Sequence, residues 1–194
     1  LAQAFKPQRV VFRDPVFTHD RERVLALCRQ LSRRRIRLAW ECESRADDLD
    51  AEMVAAMAKA GCTAVKMGLE SADADVLVAV GRVRDSAGAE VYRQRALDAA
   101  SACREHGIAC RVFAMTGLAG ETDRAVANTA EFITRMQPAG LTVKAVDGYP
   151  GTQMGRADSA ESVRRAQLLR ESFTPAPAAS RASLFARIKR RIAR

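Results

Sequence analysis

Between residues 9 and 152 the chain alternates short apolar runs with longer stretches in which apolar side chains recur every three or four positions. Residues 9–13 carry Val10, Val11 and Phe12 and predict a strand that ends at Asp14-Pro15. Residues 20–34 follow with Val24, Leu25, Leu27, Cys28 and Leu31 at helical spacing. A second strand is expected over 36–40, leading into a polar segment, Glu41-Cys42-Glu43-Ser44-Arg45. Asp50 is placed to cap a helix that runs to Lys59 and stops at Gly61. The third strand, 63–67, enters Gly68-Leu69-Glu70-Ser71. A short helix ending at Val80 and Gly81 precedes a longer one over about 89–106, stopped by Gly107. The fourth strand, 108–115, leads to Thr116-Gly117-Leu118-Ala119-Gly120-Glu121. Thr122 then caps a helix to Met136, Pro138 breaks it, and 141–146 is the fifth strand.

Repeated strand–helix units of this kind predict an α/β fold with a parallel sheet. Right-handed crossovers bring the C-terminal ends of all strands to one rim, where such folds bind ligands. The segments placed there are polar or glycine-rich: Asp14; Glu41, Glu43 and Arg45; Glu70 and Ser71; Thr116, Gly117 and Glu121; Asp147 and Tyr149. That distribution predicts a ligand site without naming the ligand. Ser71 or Asp73 can equally serve as a helix cap, and Glu41 and Glu43 share strand parity with Arg45, which fits a structural ion-pair set as well as catalysis.

Composition changes the picture in three places. The chain is 48% hydrophobic and 28% charged over 194 residues, with no apolar run near the roughly 18–20 residues a membrane span needs. The five cysteines, at 28, 42, 62, 103 and 110, form no tight metal-ligand spacing. Their odd number, with no apolar secretory segment at residues 1–7, points to reduced core thiols in a cytoplasm. The net charge of +9 is concentrated: residues 156–194 hold ten basic and three acidic side chains, so the folded part is nearly neutral. Three segments follow: 1–155 as the α/β unit, 156–180 as a helical segment with a Pro/Ala linker, and 181–194 as a cationic amphipathic helix. In that last helix Leu184, Phe185, Ile188 and Ile192 share a face.

Five motifs occur in order. They are Phe12-Arg13-Asp14-Pro15-Val16-Phe17-Thr18, Trp40-Glu41-Cys42-Glu43-Ser44-Arg45-Ala46-Asp47, Gly68-Leu69-Glu70-Ser71-Ala72, the run from Phe113 to Thr122, and Tyr149-Pro150-Gly151-Thr152. Together they resemble the radical S-adenosylmethionine (SAM) superfamily over about residues 9–155, and most closely its cobalamin-binding-domain-associated subgroup. The resemblance implies a partial (β/α)6, TIM-like barrel whose missing member is the family's first strand. In that family a [4Fe–4S] cluster sits on a Cys-x-x-x-Cys-x-x-Cys loop, SAM is bound at its unique iron, and cobalamin is used by some members. Position by position, Asp14 corresponds to the end of the second strand, near the methionine moiety. Glu70 and Ser71 correspond to contacts with the ribose or methionine part of SAM. Met115, Thr116 and Gly117 correspond to the adenine shelf, and Tyr149 lies beyond the last strand. Arg45 is expected to pair with the SAM carboxylate or with Glu70.

Two departures accompany the match. No set of the five cysteines supplies the three-thiolate loop, and Ala119 and Gly148 stand where the family usually has proline. Leu1 in first position adds to the expectation of an N-terminally truncated radical SAM enzyme, silent by itself. Its parent would use SAM and the cluster for methylation or rearrangement of a small-molecule substrate, served by an electron-donor protein. The alternative is a non-catalytic half-barrel scaffold. For 181–194 the plainer expectation is a helix packed on the barrel, without nucleic acid; the alternative is a weak contact with an anionic membrane surface or with nucleic acid. An unpaired strand at 9–13 further predicts self-association of the isolated chain.

Overall fold

The computed structural model describes residues 5, 7–146 and 159–175. Asp147, Tyr149, most of the Pro/Ala linker and the amphipathic segment 181–194 lie outside the described residues. Five strands, β1 (Val10–Val11), β2 (Trp40–Arg45), β3 (Cys62–Glu70), β4 (Ala109–Thr116) and β5 (Gly140–Ala145), pair in chain order, and every pairing is parallel. Between and after them lie α1 (Arg21–Arg33), α2 (Ala51–Lys59), α3 (Ala74–Ala79), α4 (Ser86–Glu105), α5 (Asp123–Met136) and α6 (Ser159–Glu171). Sequential parallel order with crossovers of one hand places all helices on one side of the sheet, as in a (β/α) barrel, and leaves the other side as a concave wall.

The expected caps Asp50 and Thr122 hold, and α4 begins at Ser86, three residues before its expected start. Asp20, Asp50, Asp73, Asp85 and Thr122 each sit in extended backbone and accept a hydrogen bond from a first-turn amide. Helix α2 ends at Ala60, and Gly61 takes φ +97 so that the chain can turn into β3. A Cβ on Gly61 would stand 2.3 Å from the Leu38 carbonyl oxygen, so the turn has no room for a side chain.

Strand residues alternate between the two sides. Trp40, Cys42, Val65, Met67, Leu69, Cys110, Val112, Ala114 and Val143 point to the helices and are buried. Near β1 the core is aromatic: Phe12, Phe17 and Trp40 pack with ring centroids 4.7–5.5 Å apart, and the Trp40 indole N–H donates to the Ala60 carbonyl at 3.0 Å. All five cysteines are buried, as their apolar surroundings predict.

One expected strand is displaced. Residues 36–40 do not form the second strand; Trp40–Arg45 does. Apolar content favours 36–40, but Glu41 and Glu43 are tolerated in a strand because each finds cations across the concave wall. These two carboxylates therefore lie within the wall and not at the rim. Strand β3 also extends to Glu70, past the expected end at 67.

Candidate functional site

The rim at the C-terminal ends of the strands gathers the loop after β1 and the segments 45–50, 70–73 and 116–122. Its centre is Glu70. This residue ends β3 with φ +61, a left-handed conformation that a non-glycine residue adopts at a cost of order 1 kcal/mol or more. The strand register shifts between Gly68 and Glu70 at the same point. The Glu70 carboxylate receives a hydrogen bond from Arg82 on Oε1 at 3.1 Å, while Oε2 is buried with no hydrogen-bond partner among the described residues. Burial pushes the carboxyl above its ordinary range, and the Arg82 charge only partly offsets this. Tyr92, from α4, fixes the backbone beneath by donating toward the Gly68 and Leu69 carbonyls at 3.3 and 3.0 Å. On the neighbouring strand end Arg45 holds Asp47 through two hydrogen bonds of 2.9 and 2.8 Å. Burial raises the Asp47 carboxyl, but its bonds to Arg45 outweigh that and leave it below its ordinary range. Beside it, burial and the Asp47 charge raise Asp48, whose Oδ2 is also buried without a partner among the described residues.

The other rim residues are more committed. The Ser71 hydroxyl is buried, shares a hydrogen bond of 3.2 Å with Thr129 and accepts from the Asp73 amide at 3.1 Å. Asp73, not Ser71, caps α3. Asp14 lies 3.5 Å from Arg23 and is half exposed. Met115 faces the concave side at the top of β4 and packs against the cluster formed by Val76, Leu118, Ala125 and Val146. Thr116 turns the other way and donates to the Ser162 carbonyl at 2.7 Å, which ties α6 to the back of the sheet. Gly117 takes φ +83 and gives its amide to the buried Glu121 carboxylate at 2.7 Å.

Several expectations are thus refined by geometry. Arg45 and Glu70 do not pair; each has a separate partner, Asp47 and Arg82. Glu41 and Glu43 do form ion pairs, with Arg9, Arg111, Arg13 and Lys66 in place of Arg45. Arg82, Tyr92 and Asp48 were not legible as site residues, since no motif spacing ties them to Glu70. Arg82 offered one hint, a cation immediately after the glycine that stops a helix. A polar cleft of about 320 Å³ lies elsewhere, between α4 and α5 on the outer layer, lined by Glu90, Arg93, Asn128, Glu131 and Arg135 among others.

The site fits a cofactor with hydroxyl or ammonium donors, because Glu70 Oε2 is an unused acceptor and Gly68, whose Cβ would stand 2.9 Å from Glu70 Oε1, leaves the carboxylate room to turn. The cysteines do not fit an iron–sulfur cluster. They are buried on the helix side of the sheet, and burial drives Cys28 up to about 11, Cys110 up to about 12, and Cys62 and Cys103 well above the ordinary thiol range. Among the described residues no group of three His, Cys, Asp or Glu is arranged to hold a metal ion. Nor is any described helix long and apolar enough to cross a membrane.

Known proteins place this fold. The chain is 22% identical over 147 residues to an uncharacterized methyltransferase of Pyrococcus horikoshii, covering 76% of this chain and 30% of that protein. Among solved structures, the radical SAM methyltransferase TsrM from Kitasatospora setae, with cobalamin and a [4Fe–4S] cluster bound, superposes with TM-score 0.67 at 22% identity, over 79% of this chain and 31% of that one. Coproporphyrinogen III oxidase of Escherichia coli, a radical SAM enzyme, gives 0.63 at 14% identity over 85% and 40%. The cobalamin-dependent SAM radical enzyme OxsB gives 0.56 at 16% identity over 88% and 24%. The chain spans less than half the length of each of these proteins. Residues 8–133 match the family profile of the Radical SAM superfamily, and with the parallel barrel wall this establishes that the chain belongs to that superfamily.

Proposed function

We propose that this chain is the SAM-binding wall of a radical SAM enzyme, of the cobalamin-associated methyltransferase type, acting on a small-molecule substrate. The observation that carries the reading is Glu70, held in left-handed backbone with one carboxylate oxygen on Arg82 and the other buried and unpartnered among the described residues. Glu70 Oε2 accepts from the ribose hydroxyls or the ammonium group of SAM, and Gly68, lacking a Cβ, leaves the Glu70 carboxylate room to turn toward it. Met115 supplies a polarizable surface for adenine, Thr116 and Gly117 shape the shelf, and Asp14, Ser71 and Tyr149 complete the set by position. SAM held there would supply the methyl group for methylation or, with the cluster's electron, the 5′-deoxyadenosyl radical for rearrangement. Because the chain's own cysteines do not fit a cluster, its thiolate ligands come from outside residues 1–194, and residues 1–194 alone are catalytically silent.

Equilibrium dialysis with SAM tests this. The chain binds SAM, and Glu70→Gln weakens binding about tenfold, the worth of one charge-assisted hydrogen bond. No saturable binding, or equal binding by Glu70→Gln, overturns the assignment. Anaerobic reconstitution with iron and sulfide yields no iron–sulfur absorbance from this chain; a stoichiometric cluster would refute the silence.

A further inference from the structure

The concave wall is not built like the packed interior of a (β/α) barrel, which branched apolar side chains usually fill. Glu41 and Glu43 of β2, Lys66 of β3, Arg111 of β4 and Lys144 of β5 all share its strand parity, with Arg9 and Arg13 flanking β1. Glu41 is buried between two cations, Arg9 at 2.6 Å and Arg111 at 3.2 Å. Arg111, in register with Lys66, reaches it diagonally across β3 past Ala64, the small residue that registers with Glu41. One layer nearer the rim, Glu43 bridges Lys66 at 3.2 Å and Arg13 at 3.7 Å. Lys144 has no carboxylate partner among the described residues and lies 5.6 Å from the Phe113 ring centroid. Five cations thus face two carboxylates, a surplus of three positive charges on one wall, and the four paired cations remain 42–78% exposed.

That surplus does not suit SAM, whose ammonium and sulfonium outweigh its carboxylate and leave it a cation. It suits the other reactant. We propose that the concave wall is an anion-binding site, centred on Lys66, Arg111 and Lys144, for a substrate bearing a phosphate or carboxylate group. Lys66 and Arg111 register with Glu43, two residues below Arg45, while Lys144 registers with Met115 at the top of β4, so the cationic strip runs from the rim to about 7 Å beneath it at the rise of a strand. The carboxylates hold the cations apart in fixed positions, and Phe113 offers an apolar face next to them. The inference rests on the SAM reading only for which end of the substrate is reactive.

Calorimetric titration in the absence of SAM tests the site independently, with inorganic pyrophosphate and tricarballylate as the phosphate and carboxylate probes. Lys144→Glu, at an exposed position, and Lys66→Met each weaken binding of the preferred probe about tenfold. Replacing Arg187, Lys189, Arg190 and Arg191 by glutamine leaves it unchanged, since the basic segment near the C-terminus is the competing anion binder. In ¹³C-methyl methionine spectra Met115 on the concave side shifts with probe, while the core residues Met53, Met57, Met67 and Met136 do not. Binding that survives Lys144→Glu but is lost in the 187–191 variant overturns the proposal, as does the absence of saturable binding by either probe. Loss of SAM binding with anion binding intact would sink only the SAM assignment.

Discussion

Arg82 donates to one oxygen of Glu70 at 3.1 Å and leaves the other buried and unpartnered among the described residues, so a single cation both eases the ionisation of this carboxylate and limits how it is used. Arg82 and Glu70 are only 16% and 21% exposed, which makes the pair sensitive to loss of one member. Arg82→Gln is expected to cost about 2–3 kcal/mol at pH 7, somewhat below the range for fully buried pairs. Glu70 already titrates above its unfolded value, so the folded state binds its proton more tightly than the unfolded one. Its ionised form therefore penalises folding above the folded pKa, and the penalty fades as pH falls through that value. Removing Arg82 raises the pKa further. Urea denaturation should show the variant's deficit at pH 7 shrinking at pH 4.5, and Arg82→Gln/Glu70→Gln should be less damaged than Arg82→Gln alone.

Thr129 holds the loop that follows Glu70. Its hydroxyl accepts from the Ala72 amide at 3.1 Å and shares a hydrogen bond with Ser71. Thr129→Val keeps the volume but strands a buried amide and a buried hydroxyl, at about 1–3 kcal/mol. Hydrogen exchange should report faster opening of residues 71–73 while the amides of β3 stay protected.

Gly61→Ala tests the turn into β3. Left-handed backbone and a 2.3 Å approach to the Leu38 carbonyl act together, so a loss of about 3 kcal/mol is expected. Trp40, the sole tryptophan, is buried nearby and reports the transition by fluorescence. A change below about 0.5 kcal/mol would show that Leu38 moves aside without cost.

The thiols give a chemical test of the core. Cys28 is raised to about 11, two units above its ordinary value, which lowers its thiolate fraction at pH 8 about a hundredfold. Cys62, Cys103 and Cys110 lie in the same helix–sheet layer and are raised as well. An aromatic disulfide reagent should label the native chain slowly and all five sites promptly in 6 M urea. Rapid native labelling of two or more thiols would contradict the packing.

Much of this protein was set by local sequence. Hydrophobic periodicity and the caps at Asp50 and Thr122 placed the helices, and the β-branched and apolar runs placed four of the five strands to within a few residues. These signals act over one helical turn or one strand, so a single sequence carries them. Burial of the cysteines followed from their apolar neighbours in the same way. The displaced strand at Trp40–Arg45 shows where local reading stops. Glu41 and Glu43 are admissible in a strand only because Arg9, Arg111 and Lys66, distant in sequence, stand across the same wall. Tertiary structure also decided the partners at the rim. Arg45 went to Asp47 and Glu70 to Arg82, because the return of the short helix α3 delivers Arg82 to the end of β3. Charge pairing depends on where the backbone brings two side chains, which composition and spacing along the chain do not encode.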